Sequence, residues 1–79
     1  MIRLEEIHRN NRNIMCNAFV EDCTVPVFLS FDEHTNELAD YTLPADYNYC
    51  KSHIMHARKY LKSLYGKEIK EHSKTIMWY

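Results

Sequence analysis

Apolar residues recur at Cys50, Ile54, Ala57, Leu61 and Leu64, spaced 4, 3, 4 and 3 apart. That spacing follows the 3.6-residue turn and draws a single apolar stripe along an α-helix. A helix with one such stripe needs a second layer to bury it, so the rest of the chain must supply a sheet or another helix. Asp46 is the expected N-cap, its carboxylate accepting from the free N–H groups of the first turn. Gly66 is the expected stop, with Lys67 just past it. The pattern predicts a helix from about Tyr47 to Tyr65.

Upstream, the period changes from 3.6 to 2. Ile14, Cys16, Ala18 and Val20 fall on one side of an extended chain, with Met15 and Phe19 on the other. Glu21-Asp22-Cys23-Thr24 interrupts the alternation. It resumes with Val25, Val27, Leu29 and Phe31 on one face and Phe28 and Ser30 on the opposite one. Pro26 cannot donate to a ladder, which places it at the start of this strand or on its open edge. Asp32 to Glu37 reads as a polar hairpin loop with Asn36 suited to positive φ. Leu38 to Leu43 reads as a third strand ended by Pro44. Met1 to Arg12 fits either a strand or a short helical turn, and Asn10-Asn11-Arg12-Asn13 reads as a turn. The tail, Thr75-Ile76-Met77-Trp78-Tyr79, is rich in β-formers and is expected to return as a further strand. The fold class is therefore α+β: an antiparallel meander of three to five strands, covered on one face by a single amphipathic helix. With 79 residues it makes one small domain with a core one layer deep.

Composition removes several function classes. Gly66 is the only glycine, so the Gly-rich loops that cradle nucleotide phosphates are missing. A formal net charge of −1 gives no overall pull toward nucleic acid or anionic membrane, although a local basic patch is compatible with it. No apolar run approaches the ~20 residues of a membrane-spanning helix. Met1 to Arg12 is too charged for a secretory signal, and three cysteines form no disulfide framework. A cytoplasmic protein with reduced thiols is expected.

The constellations that carry chemistry are weak. Cys50, His53 and His56 form a Cys-x2-His-x2-His series that invites a zinc reading with Cys16 and Cys23. Three residues spaced by three drift about 60° per step around a helix. Cys50 should then face the core, His53 its flank and His56 nearly the solvent, which converges on no metal. A Cys50–His53 nucleophile pair would need an activated, accessible thiolate, and Cys50 lies mid-stripe instead. The acidic pairs Glu5-Glu6, Glu21-Asp22 and Asp32-Glu33 lie beside turns, where carboxylates are ordinarily solvated. No catalytic residue, cofactor or metal is assigned.

Two binding surfaces remain. A single helix covers one sheet face and leaves the other to water, a partner or the chain ends. Met15, Phe19, Phe28, Tyr41 and Trp78 are expected there, more aromatic surface than a solvated face carries. This favours a non-enzymatic interaction module, pairing with itself or with another protein, and the β-rich tail could add to a neighbour's sheet edge. The alternative is a small nucleic-acid-binding accessory protein using Lys51, Arg58, Lys59 and Lys62 on the helix, with Arg3, Arg9 and Arg12 extending the patch.

Overall fold

The computed structural model describes residues 1–78 and is an α+β arrangement of one five-stranded antiparallel sheet and one helix. Tyr79, assigned above to the tail strand, lies outside the described residues. The strands are β1 (Ile2–Asn10), β2 (Asn13–Val20), β3 (Val27–Asp32), β4 (Glu37–Leu38) and β5 (Lys74–Ile76), in the order β4-β3-β2-β1-β5. The helix α1 spans Lys51–Ser63.

The ambiguous first segment is a strand of nine residues. Its ambiguity has a physical cause. The register runs Ile2↔Val20 to Glu5↔Asn17, then shifts before His8↔Met15. Glu6 and Ile7 together oppose Cys16, which is a β-bulge. Glu6 adopts φ 54 there, and the extra residue flips the parity of the strand. Ile2, Leu4 and Ile7 consequently all reach the core, although their spacing of two and then three fits no single period. The bulge exposes the outer backbone groups of Ile7, and the tail satisfies both. Ile7 N–H donates to the His72 carbonyl at 2.9 Å, and His72 Nδ1 bonds the Ile7 carbonyl at 2.8 Å.

In β2 the alternation holds as read: Ile14, Cys16, Ala18 and Val20 are buried, and Met15 and Phe19 stand on the opposite side. In β3 the core face is Val27, Leu29 and Phe31. Val25 does not belong to it: it precedes the strand and is exposed. Asp32 pairs with Glu37 across the loop, and Asn36 takes φ 61 as its side chain allows. The expected third strand, Leu38 to Leu43, shortens to Glu37–Leu38. Ala39 adds one further bond to the Ser30 carbonyl at 2.8 Å before the chain leaves the sheet.

The helix starts later than its sequence suggested. Ala45–Tyr47 forms a separate 3-10 turn, and Cys50 occupies the N-cap position without a side-chain cap. Asp46 therefore caps nothing on α1. Cys50, Ile54, Ala57 and Leu61 are buried as the stripe requires, with Leu64 packed partly against them. Gly66 ends the segment at φ 73 in a turn closed by Lys67 N–H to the Leu64 carbonyl, 3.0 Å. The chain then crosses to the far edge of the sheet, where β5 pairs with β1. No described helix is long and apolar enough to cross a membrane.

Candidate functional site

The sheet has one face under α1 and one open face. Register places the open-face residues in rows: Arg3 beside Phe19, then Glu5, Asn17 and Phe28, then His8, Met15 and Ser30. The charged residues gather on β1 and the apolar ones on β2 and β3. Phe28 is 57% exposed in mid-strand. Phe19 is half-buried because the Arg3 guanidinium lies over its ring at 4.7 Å, held there by Glu5 at 2.7 Å. Met15 is half-buried as well. Tyr41, in the loop after β4, is 37% exposed.

Trp78 is not on this face. It follows Ile76 by two residues and shares its helix-side orientation. There it lies edge-on to His53, ring centroids 4.8 Å apart, and stacks on His56 at 4.0 Å. The tail thus does not shield the open face; it joins its own sheet as an edge strand beside β1. Of the five expected open-face residues, Met15, Phe19 and Phe28 come together, Tyr41 lies in an irregular loop, and Trp78 goes to the other layer.

His53 also departs from its expected flank position. It is 8% exposed, and its Nε2–H donates to the Glu21 carboxylate at 2.6 Å. Glu21 takes the Met1 ammonium on the same oxygen at 3.1 Å. The hydrogen bond from His53, joined by the bond from that ammonium, holds the Glu21 carboxyl below its ordinary range. His56, expected near the solvent, is half-buried beneath Trp78. Cys50 is fully buried among apolar side chains, and burial pushes its thiol up. Burial pushes Cys16 up to about 12. Among the described residues, no three of His, Cys, Asp and Glu converge as metal ligands.

The acidic pairs have structural partners. Glu5 holds Arg3, Glu6 accepts from Asn17 at 2.9 Å, and Asp22 accepts from the Tyr47 hydroxyl at 2.8 Å. Asp32 accepts from the N–H groups of His34 and Thr35 inside its own loop. Glu33 receives a bidentate fork from Arg9 at 2.7 and 3.2 Å. Arg9 spends its other donors on the Lys67 and Leu64 carbonyls, at 2.8 and 2.9 Å. It therefore caps the end of α1 rather than extending a basic patch. Arg3 lies on the far face and cannot extend it either.

The helix patch itself is divided. Lys51, Lys59 and Lys62 are exposed, while Arg58 is half-buried and donates to the Asn36 carbonyl at 2.6 Å. At the same end of the molecule as Lys62, two hollows open that sequence reading did not signal. The larger, about 620 Å³, is walled by the β1–β2 turn, the β3–β4 loop and the segment after α1, including Arg12, Glu33, His34, Tyr65, Lys67 and Glu68. The second, about 430 Å³, is walled by Glu33, His34, Asn36, Lys62 and Tyr65. No single stretch of sequence could reveal them, because each is built from segments far apart in the chain. No protein-family model matches this chain, and no curated protein or solved structure matches it, so the functional reading rests on its own geometry.

Proposed function

We propose that this chain is a non-enzymatic interaction module that pairs with a second copy of itself through the open sheet face. The observation that carries the reading is Phe28, 57% exposed in the middle of a strand and flanked by Phe19 and Met15. Fully burying one such side chain stabilises association by about 1.5–3 kcal/mol.

Three features favour a second copy as the occupant. A net charge of −1 sets up little repulsion between identical chains. The face is split into an apolar half on β2 and β3 and a charged half on β1. A two-fold axis near Phe28 would lay apolar on apolar and leave Arg3, Glu5 and His8 at the rim. Both sheet edges are short, two residues in β4 and three in β5, which favours face pairing over edge pairing. Three free, buried cysteines are compatible with a reduced, cytoplasmic binding protein.

Light scattering over a range of concentrations tests this. A dimer that Phe28→Ser converts to monomer, with the helical circular dichroism signal unchanged, is the expected result. A monomer at every concentration would remove the second copy and leave a different protein as occupant. The competing proposal, nucleic-acid binding along the helix, is supported by the exposed Lys51, Lys59 and Lys62 and less by Arg58, which is committed to Asn36.

A further inference from the structure

Tyr65 stands just past the end of α1 and is 66% exposed. The two hollows share it as a wall, together with Glu33 and His34. The larger hollow also presents Arg12 and Lys67, and the smaller presents Lys62. Among the described residues, none of these three cations has an ion-pair partner. The Glu33 charge is neutralised by the Arg9 fork. The neighbouring Gly66 adds no side chain, and even a Cβ placed there would meet nothing within 4 Å, so the surroundings of Tyr65 stay open.

An exposed aromatic ring shared by two neighbouring hollows, each lined by a cation, offers a place for one base and its two flanking phosphates. Bases stack on aromatic side chains, and the positive groove follows the backbone. We infer that this end of the molecule binds single-stranded nucleic acid, with a base on Tyr65, one phosphate at Arg12 and Lys67, and the next at Lys62. This surface is separate from the open sheet face, and neither reading depends on the other. It also differs from a footprint along the helix: Lys51 lies about 17 Å from Lys62 along the axis, at the rise of 1.5 Å per residue. Glu68 lines the larger hollow without a partner among the described residues and opposes the phosphate there.

The test is fluorescence anisotropy of a labelled oligothymidylate of about eight nucleotides, titrated with the intact protein at several salt concentrations. Binding should weaken with salt, and each lysine removed should lower the logarithmic salt slope by about 0.7. Tyr65→Ala should weaken binding about tenfold and Tyr65→Phe should restore it, as stacking requires. Lys67→Glu and Lys62→Glu should each weaken binding, Glu68→Gln should tighten it, and Lys51→Glu should leave it unchanged. Tyr65 is exposed, so these variants keep the core, and circular dichroism verifies that they do.

Absence of an anisotropy change at low salt would overturn the inference. So would equal loss in Lys51→Glu and Lys67→Glu, which would mark a diffuse charge effect. Competition by thymidine monophosphate as effective per nucleotide as the oligonucleotide would also overturn it, by assigning a mononucleotide pocket instead of a strand.

Discussion

The helix-side face and the open face of the sheet are built by the same strands, residue by alternate residue, and yet they obey different rules. On the helix side Ile2, Leu4, Ile7, Ile14, Cys16, Ala18, Val20, Val27, Leu29 and Phe31 are all buried, with no charged residue among them. On the open side Arg3, Glu5, His8, Met15, Asn17, Phe19, Phe28 and Ser30 mix charge, amide, thioether and ring. The first face is selected for volume, since any polar atom there would lose its water without a partner. The second can hold any residue that water tolerates. An apolar side chain on it is therefore informative, as Phe28 is, whereas one on the first face says only that there is a core.

The sharpest way to break this contrast is to truncate a phenylalanine on each face. Phe31→Ala should cost about 3–5 kcal/mol in chemical denaturation, because the cavity it leaves cannot collapse fully. Phe28→Ala should stay within about 1 kcal/mol in the monomer. Equal losses would mean that the open face is already covered.

Next in size is the arginine comparison. Arg9→Met leaves the Glu33 carboxylate, nearly buried at 9% side-chain exposure, and the Lys67 carbonyl without their donor, while the Leu64 carbonyl keeps its bond from Lys67 N–H. It should cost about 2–3 kcal/mol, measured the same way. Arg3→Met removes an exposed pair with Glu5 and a ring contact with Phe19, and should cost under about 1 kcal/mol.

Acid titration comes third. Because folding lowers the Glu21 carboxyl, its contribution is complete above the unfolded carboxylate value and fades as pH falls through the folded one. Stability of the native chain should therefore drop on acidification below the ordinary glutamate range, and Glu21→Gln should flatten that part of the profile. An unchanged profile would mean that the His53 bond does not form in solution.

The smallest effect sharpens the comparison without touching stability. Cys16 on the helix side, its thiol pushed up to about 12, should ignore a thiol reagent at mildly basic pH. A cysteine placed next to it on the open face, Asn17→Cys, should react at once. Reaction of Cys16 at the same rate would show that the two faces exchange through opening.

The regions where sequence reading succeeded and failed follow the same line. Strand β2 was legible because eight residues alternate without interruption. The stripe of α1 was legible because its period is local. Its start was not, because Asp46 is as good a turn residue as an N-cap, and the chain uses it in the 3-10 turn. The reading of Leu38 to Leu43 as a strand failed because, among the described residues, nothing pairs with the segment beyond Ala39, and apolar residues alone do not hold a strand. Of the candidate surface, Met15, Phe19 and Phe28 followed from parity. Trp78 did not, since its side of the sheet depended on which strand the tail would join.

By itself the sequence determined the α+β class, the identity of the helix stripe and the parity of β2 and β3, because each is a repeat between near neighbours. Tertiary structure alone decided the bulge at Glu6 and Ile7, the pairing of β5 with β1, the stacking of Trp78 on His56 and the Arg9 fork over the end of α1. These join residues as much as 74 positions apart, as Ile2 and Ile76 are. Such contacts are settled by which buried groups still lack a partner once the sheet has formed, and that condition has no period for a sequence to display.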